Sequence, residues 1–246
     1  MNRGLIFLLL FIISGPLLFN YALKAKGDNV RNGITCEDGE HFVIRESETV
    51  HTTPVSDAND EMVIIDVKRL KLTLYKNGQP IRTYPVAIGD SETPSPIGEW
   101  KVIHKGGNWG SGFGERWIGL NVPWGIYGIH GTNKPWSIGT RASHGCIRMF
   151  NRHVLELYDL VKLGAPVRIV GDLPKVVPRK EVGRNNTGRD IIAFQFALRK
   201  AGFEPGLADG RFGVEMEQAV YRLQFYYGLA PTGRLSLNEQ VILGFR

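Results

Sequence analysis

From Glu61 onward the chain alternates. Met62-Val63-Ile64-Ile65-Asp66-Val67 is a short apolar run, and Leu70, Leu72 and Leu74 are interleaved with polar Lys71 and Thr73. A period of two puts one face of each segment against a core and the other toward water, so both are predicted strands. Asn77-Gly78 follows, a pair that tolerates the positive φ of a tight hairpin turn, and residues 81–88 are predicted to return as a strand. Thr93-Pro94-Ser95-Pro96-Ile97-Gly98 reads as a turn, with further strands over 99–104, 126–129 and 166–170. Recurrent strands with turn punctuation predict a mainly β domain, a β-sandwich or a barrel-like pair of sheets. One helix is predicted over 151–163, with Asn151 as N-cap and Leu155, Tyr158, Leu160 and Val161 as its apolar face. Residues 106–114 are too glycine-rich for a regular element. They are expected to be either a flap over a cleft or a plain surface loop.

The period changes near the C-terminus. Ile191, Phe194, Leu198 and Ala201 share a helical face, as do Met216, Ala219, Val220, Leu223 and Tyr227. Asp209-Gly210 and Gly228 interrupt the pattern, and Ser236 can cap a third helix. A small three-helix domain is therefore expected over 188–246, joined to a domain over 61–171 by a linker, 172–187, that contains Pro174 and Pro178. That linker has few apolar residues, so the two domains are expected to be loosely tied.

Residues 4–23 carry no charge and are flanked by Arg3 and Lys24. The segment is long enough to cross a bilayer as a helix. Residues 1–26 are expected to be a membrane anchor or a signal segment, with 27–60 as an extracytoplasmic linker. The net charge of +6 favours an anionic partner. With an export segment in front, a polyanionic cell wall is a better expectation than nucleic acid. The two cysteines, Cys36 and Cys146, exclude a disulfide framework.

Cys146 lies in Ser143-His144-Gly145-Cys146-Ile147-Arg148-Met149, and Gly128-Ile129-His130-Gly131-Thr132 precedes it. A thiol is a weak nucleophile at neutral pH until a base takes its proton. His130 is the expected general base. Gly145 permits a sharp turn in which backbone N–H groups around His144 and Gly145 converge on an oxyanion. Arg148 can hold a carboxylate, and Ser143 and Gly131 are expected to line the same substrate-binding site. A zinc site of His104, His130, His144 and Cys146 lacks the usual ligand spacing. No metal or organic cofactor is implied.

These residues resemble the signature of the L,D-transpeptidases, whose catalytic domain is of the YkuD type, and the likeness runs from about Glu61 to Val170. One departure is His153, where relatives often carry an acidic residue. The C-terminal segment resembles a three-helix peptidoglycan-binding domain through Gly206, Asp209-Gly210-Arg211-Phe212-Gly213, Ala219-Val220, Leu223-Gln224 and Gly228-Leu229. It departs from that pattern at Met216 and Thr232. The resemblance implies an extracytoplasmic enzyme that cross-links peptidoglycan stem peptides through a Cys146 acyl-enzyme. In relatives a backbone carbonyl orients the histidine that matches His130, and Gly131 or Thr132 could supply it here. Carbapenem-type β-lactams are the implied covalent inhibitors. Two alternatives stay open at this point: hydrolysis of the same bonds as a carboxypeptidase or endopeptidase, and a non-catalytic wall-binding adaptor.

Overall fold

The computed structural model describes residues 61–107 and 109–245, all within one compact unit. The expected segment 4–23 and Cys36 lie outside the described residues. Among the described residues no helix is long and apolar enough to cross a membrane.

The predicted alternation is realised in β1 (Glu61–Asp66), where Val63 and Ile65 are buried, and in β2 (Lys71–Lys76), where Leu72 and Leu74 are. The hairpin closes at Asn77 and Gly78, both with positive φ, and β3 (Gln79–Pro85) returns. Next come β4 (Ile88–Gly89), β5 (Gly98–Gly106), β6 (Trp117–Leu120), β7 (Tyr127–His130), β8 (Arg141–Ser143), β9 (Ile147–Arg148) and β10 (Pro166–Val170). Eight of them form one sheet in the order β3-β2-β1-β10-β5-β6-β7-β9, while β4 and β8 pair as a separate two-stranded parallel ribbon. The expected sandwich is thus corrected to one curled sheet. Register shifts between Leu74 and Tyr75, and between Val102 and His104, supply bends of the kind that let a sheet wrap its own core. Trp100, Ile118, Ile129, Ile147 and Met149 fill that core.

Helix α1 (Asn151–Leu160) fully buries Val154 and Leu157; of the expected apolar face Val161 is in the core, Tyr158 and Leu160 pack partly buried against it, and Leu155 is not among the core residues. Phe150 occupies the N-cap position, so Asn151 is the first helical residue and its side chain serves elsewhere.

The C-terminal region consists of α2 (Arg189–Lys200), α3 (Val214–Tyr226) and α4 (Leu237–Ile242), the last held by a Ser236–Glu239 capping box. Ile191, Phe194, Leu198, Met216, Ala219, Val220 and Leu223 form its core, whereas Ala201 and Tyr227 lie outside it. Val182, in the expected linker, is fully buried in this core and pairs with Leu235. The helical region is not loosely tied. Ile192, on the other side of α2, packs into the core of the sheet. The Glu99 N–H donates to the Ala208 carbonyl at 2.8 Å, and the Glu99 carboxylate accepts from Arg199 at 3.0 Å.

Candidate active site

The chain leaves the small ribbon at Ser143, the end of β8, and enters the large sheet at Ile147, the start of β9. His144, Gly145 and Cys146 must make the crossing. Gly145 turns the corner at φ 110, and a Cβ there would sit 2.8 Å from the Tyr127 ring, so only glycine passes. Ser143, almost fully buried, clamps the turn from inside: its hydroxyl donates to the Cys146 carbonyl at 2.5 Å and accepts the Gly145 N–H at 3.1 Å. The Gly145 N–H is therefore occupied in the resting turn. His144 is exposed, and beside it the Asp90 carboxylate caps the 90–93 turn by accepting the Thr93 N–H at 2.7 Å.

The Cys146 thiol is free and half-buried. It points at the Ile126 carbonyl, 3.9 Å away, and the Gly128 N–H is directed at the sulfur. On the neighbouring strand His130 pairs in register with Arg148, and Ile129 with Ile147. The His130 ring is clamped between Trp117, stacked at 5.6 Å, and Phe113, edge-on at 5.0 Å. Its Nδ1 donates to the Gly131 carbonyl at 2.5 Å, which leaves Nε2 as the basic nitrogen of that tautomer. No hydrogen bond joins the imidazole to the Cys146 thiol among the described residues, so the resting thiol is turned toward Ile126.

Burial dominates the electrostatics. It pushes the Cys146 thiol above its usual value, against the opposing pull of the Gly128 N–H and the Arg148 charge. It also pushes His130 down to about 4, with the Arg148 charge adding to the effect and the carbonyls of Gly131 and Phe113 resisting it. The resting pair is a neutral thiol beside a neutral imidazole. Alkylation of Cys146 by iodoacetamide is therefore expected to accelerate as pH rises beyond the ordinary thiol value near 8.5, with no plateau on the acid side. A plateau between pH 5 and 7 would reveal a preformed thiolate–imidazolium pair instead.

The same shift affects stability. Between the unfolded His130 value of 6.5 and about 4 the unfolded chain binds a proton that the folded chain refuses. Stability is fully present above pH 6.5 and falls by about 3 kcal/mol as pH drops to 4, at ~1.4 kcal/mol per unit. Urea titrations of wild type and His130→Gln should converge as pH falls; parallel curves would show that His130 is solvated.

Residues 60–169 match the L,D-transpeptidase catalytic domain family, and residues 187–238 match the putative peptidoglycan binding domain family. The putative L,D-transpeptidase YkuD of Bacillus subtilis is 39% identical over 148 residues, which span 60% of this chain and 84% of that protein. The chain belongs to the L,D-transpeptidase family. YkuD of Bacillus licheniformis is 42% identical over 107 residues, 44% of this chain and 64% of that protein. YqjB of Bacillus subtilis, another putative L,D-transpeptidase, is 34% identical over 128 residues, 46% of this chain and 73% of that protein.

In this L,D-transpeptidase the seven residues expected to form the site, Ser143, His144, Gly145, Cys146, Arg148, His130 and Gly131, lie on β7, at the end of β8, on β9 or in the turns that adjoin these strands. Arg148 is half-buried and forms no ion pair among the described residues, so its guanidinium stays available for a ligand. Sequence reasoning missed Asn151. Its carboxamide accepts the Thr132 N–H at 2.9 Å and sits where a Cβ on Gly131 or Gly114 would go, which fixes the backbone that orients His130. Its position at a predicted helix start pointed to capping, the commoner role of that residue type. The glycine-rich stretch 106–114 places Phe113 and Trp109 over Trp117, so it covers the His130 side of the site.

Proposed function

We propose that the chain is an extracytoplasmic cysteine transpeptidase whose acyl-enzyme forms on Cys146. The donor is a peptidoglycan stem peptide ending in a D-amino acid. His130 Nε2 takes the thiol proton as Sγ attacks the carbonyl of the bond between an L-centre and that D-residue. The developing oxyanion is met by backbone N–H groups of the 144–146 turn. Because Ser143 holds the Gly145 N–H, the Cys146 N–H is the leading donor. The C–N bond breaks, the proton passes from His130 to the leaving amine, and the D-amino acid departs. An amine of a second stem then attacks the thioester, gives up its proton to His130 and releases the thiol with the cross-link made. Arg148 holds the donor's carboxylate, and the helical region holds the enzyme on the wall.

The observation that carries this reading is the juxtaposition of β7 and β9, which supports a role for His130 as base beside a thiol whose carbonyl neighbour and N–H donors are already fixed. A neutral pair suits it, since each partner keeps the form in which it begins the proton transfer. The test is mass spectrometry of muropeptides after incubation with the purified enzyme. Cross-linked dimers are expected. Trimmed monomers would make it a hydrolase of the same bonds, and unchanged muropeptides would make it an adaptor.

A further inference from the structure

The loop between β6 and β7, residues 121–126, touches the reactive cysteine at one end and the helical region at the other. At the cysteine end, the Ile126 carbonyl faces Sγ at 3.9 Å, and the Tyr127 ring lies under Gly145. At the far end, Trp124 stands edge-on to Trp100 at 5.6 Å, and its outer edge meets Gly210 of the α2–α3 turn. A Cβ on Gly210 would come within 2.5 Å of that ring, so the turn can approach only because residue 210 has no side chain. Beside it the Arg211 guanidinium donates to the Asn121 carbonyl at 2.6 Å. The α2–α3 turn is itself rigid: Gln195 accepts the Gly210 N–H at 2.9 Å and donates to the Arg211 carbonyl at 3.1 Å.

A tether that only held the enzyme on the wall would not need to grip this loop. Loops far from a scaffold edge are mobile by default, and a carbonyl that must face a nucleophile needs its supporting residues locked. We infer that the α2–α3 turn is a positioning element of the active site: Arg211 and Gly210, through Asn121 and Trp124, set the loop that presents the Ile126 carbonyl and Tyr127 ring to Cys146. The helical region thus serves chemistry as well as attachment. Arg211 is a positioning residue and touches no reacting atom. The turnover part of this inference rests on the transpeptidase reading; the geometric part does not.

The test uses the full chain with Arg211→Ala, Arg211→Lys and Trp124→Phe. For each, kcat and KM for a muropeptide donor, the second-order rate of Cys146 alkylation by iodoacetamide, and co-sedimentation with purified sacculi are measured. Arg211→Ala is expected to lower kcat about tenfold, change the alkylation rate by severalfold, and leave KM and sedimentation near wild type. Arg211→Lys, which keeps a donor for the Asn121 carbonyl, is expected to recover most of both rates. Trp124→Phe keeps an aromatic plug beside Gly210 and provides a milder perturbation if the alanine variant fails to fold; it should shift alkylation in the same direction. Wild-type alkylation rates in Arg211→Ala, or in Trp124→Phe where that variant has to stand in, would overturn the inference, as would a loss of turnover matched by lost sedimentation. Altered alkylation in a chain whose wild type leaves muropeptides untouched would sustain the positioning and reject the transpeptidase reading instead.

Discussion

Cys146→Ser is expected to lower cross-link formation by at least about 10³-fold while leaving the fold and wall binding intact. The reasoning begins with the base. His130 is buried between Trp117 and Phe113 and depressed to about 4, so it is a weak base in the resting enzyme. A thiol, even one raised by burial, loses its proton to such a base far more readily than a hydroxyl does. The substitution is otherwise mild. Serine is close to cysteine in size, and neither the Ser143 clamp nor the Gly145 turn depends on the sulfur. Melting temperature and sacculus sedimentation should therefore match wild type, which separates lost chemistry from lost structure. Cross-linking by Cys146→Ser within tenfold of wild type would sink the thiol mechanism. Cys146→Ala should be at least as inactive.

How much of this was legible in advance depended on how far each residue's role is local. Val63, Ile65, Leu72 and Leu74 announced β1 and β2 because alternation is written in adjacent residues, and Asn77-Gly78 announced the hairpin for the same reason. Strands β8 and β9 span three and two residues. Nothing that short carries a period, and pairing with β4 and β7 defines them. Alternation also says which face of a strand is buried but not which strands share a sheet, so one curled sheet and a sandwich look alike in the sequence. Helix α2 shows the complementary difficulty: Ile191 and Ile192 are adjacent, yet one serves the helical core and the other the core of the sheet. A single amphipathic stripe could not reveal a helix that packs on two sides.

The site was more legible than the fold, because its residues cluster in two short runs whose chemistry is distinctive. Two aspects were not. The direction of the Cys146 shift is set by burial, a property of the folded chain, and it overrides the local charge of Arg148. The Asn151 carboxamide reaches Thr132 only because α1 starts beside the end of β7, although β8 and β9 lie between the two in the sequence.

The second large effect concerns trapping. A carbapenem is expected to acylate Cys146 and stay attached, and His130→Ala is expected to slow that acylation by about 10²- to 10⁴-fold, the usual worth of a positioned general base. The strained lactam carbonyl supplies the driving force that an ordinary amide lacks, and the donors that meet the stem-peptide oxyanion meet this one too. Ring opening breaks the C–N bond without releasing a leaving group, so the opened ring remains where the acceptor amine would enter and the thioester persists. Arg148, with no ion pair to give up among the described residues, is expected to hold the drug's carboxylate, and Arg148→Ala should slow acylation less than His130→Ala does. Burial also sets the pH response. With His130 depressed to about 4, the base is already deprotonated at every pH from 5 upward, so the acylation rate should not fall between pH 8 and 5 for want of base. Intact-protein mass spectrometry against time, at several pH values, reads all of this. An adduct on wild type that is absent from Cys146→Ala places the reaction on the sulfur. An adduct that survives in Cys146→Ala would place it elsewhere, and an acylation rate unchanged by His130→Ala would remove the imidazole from the proton path.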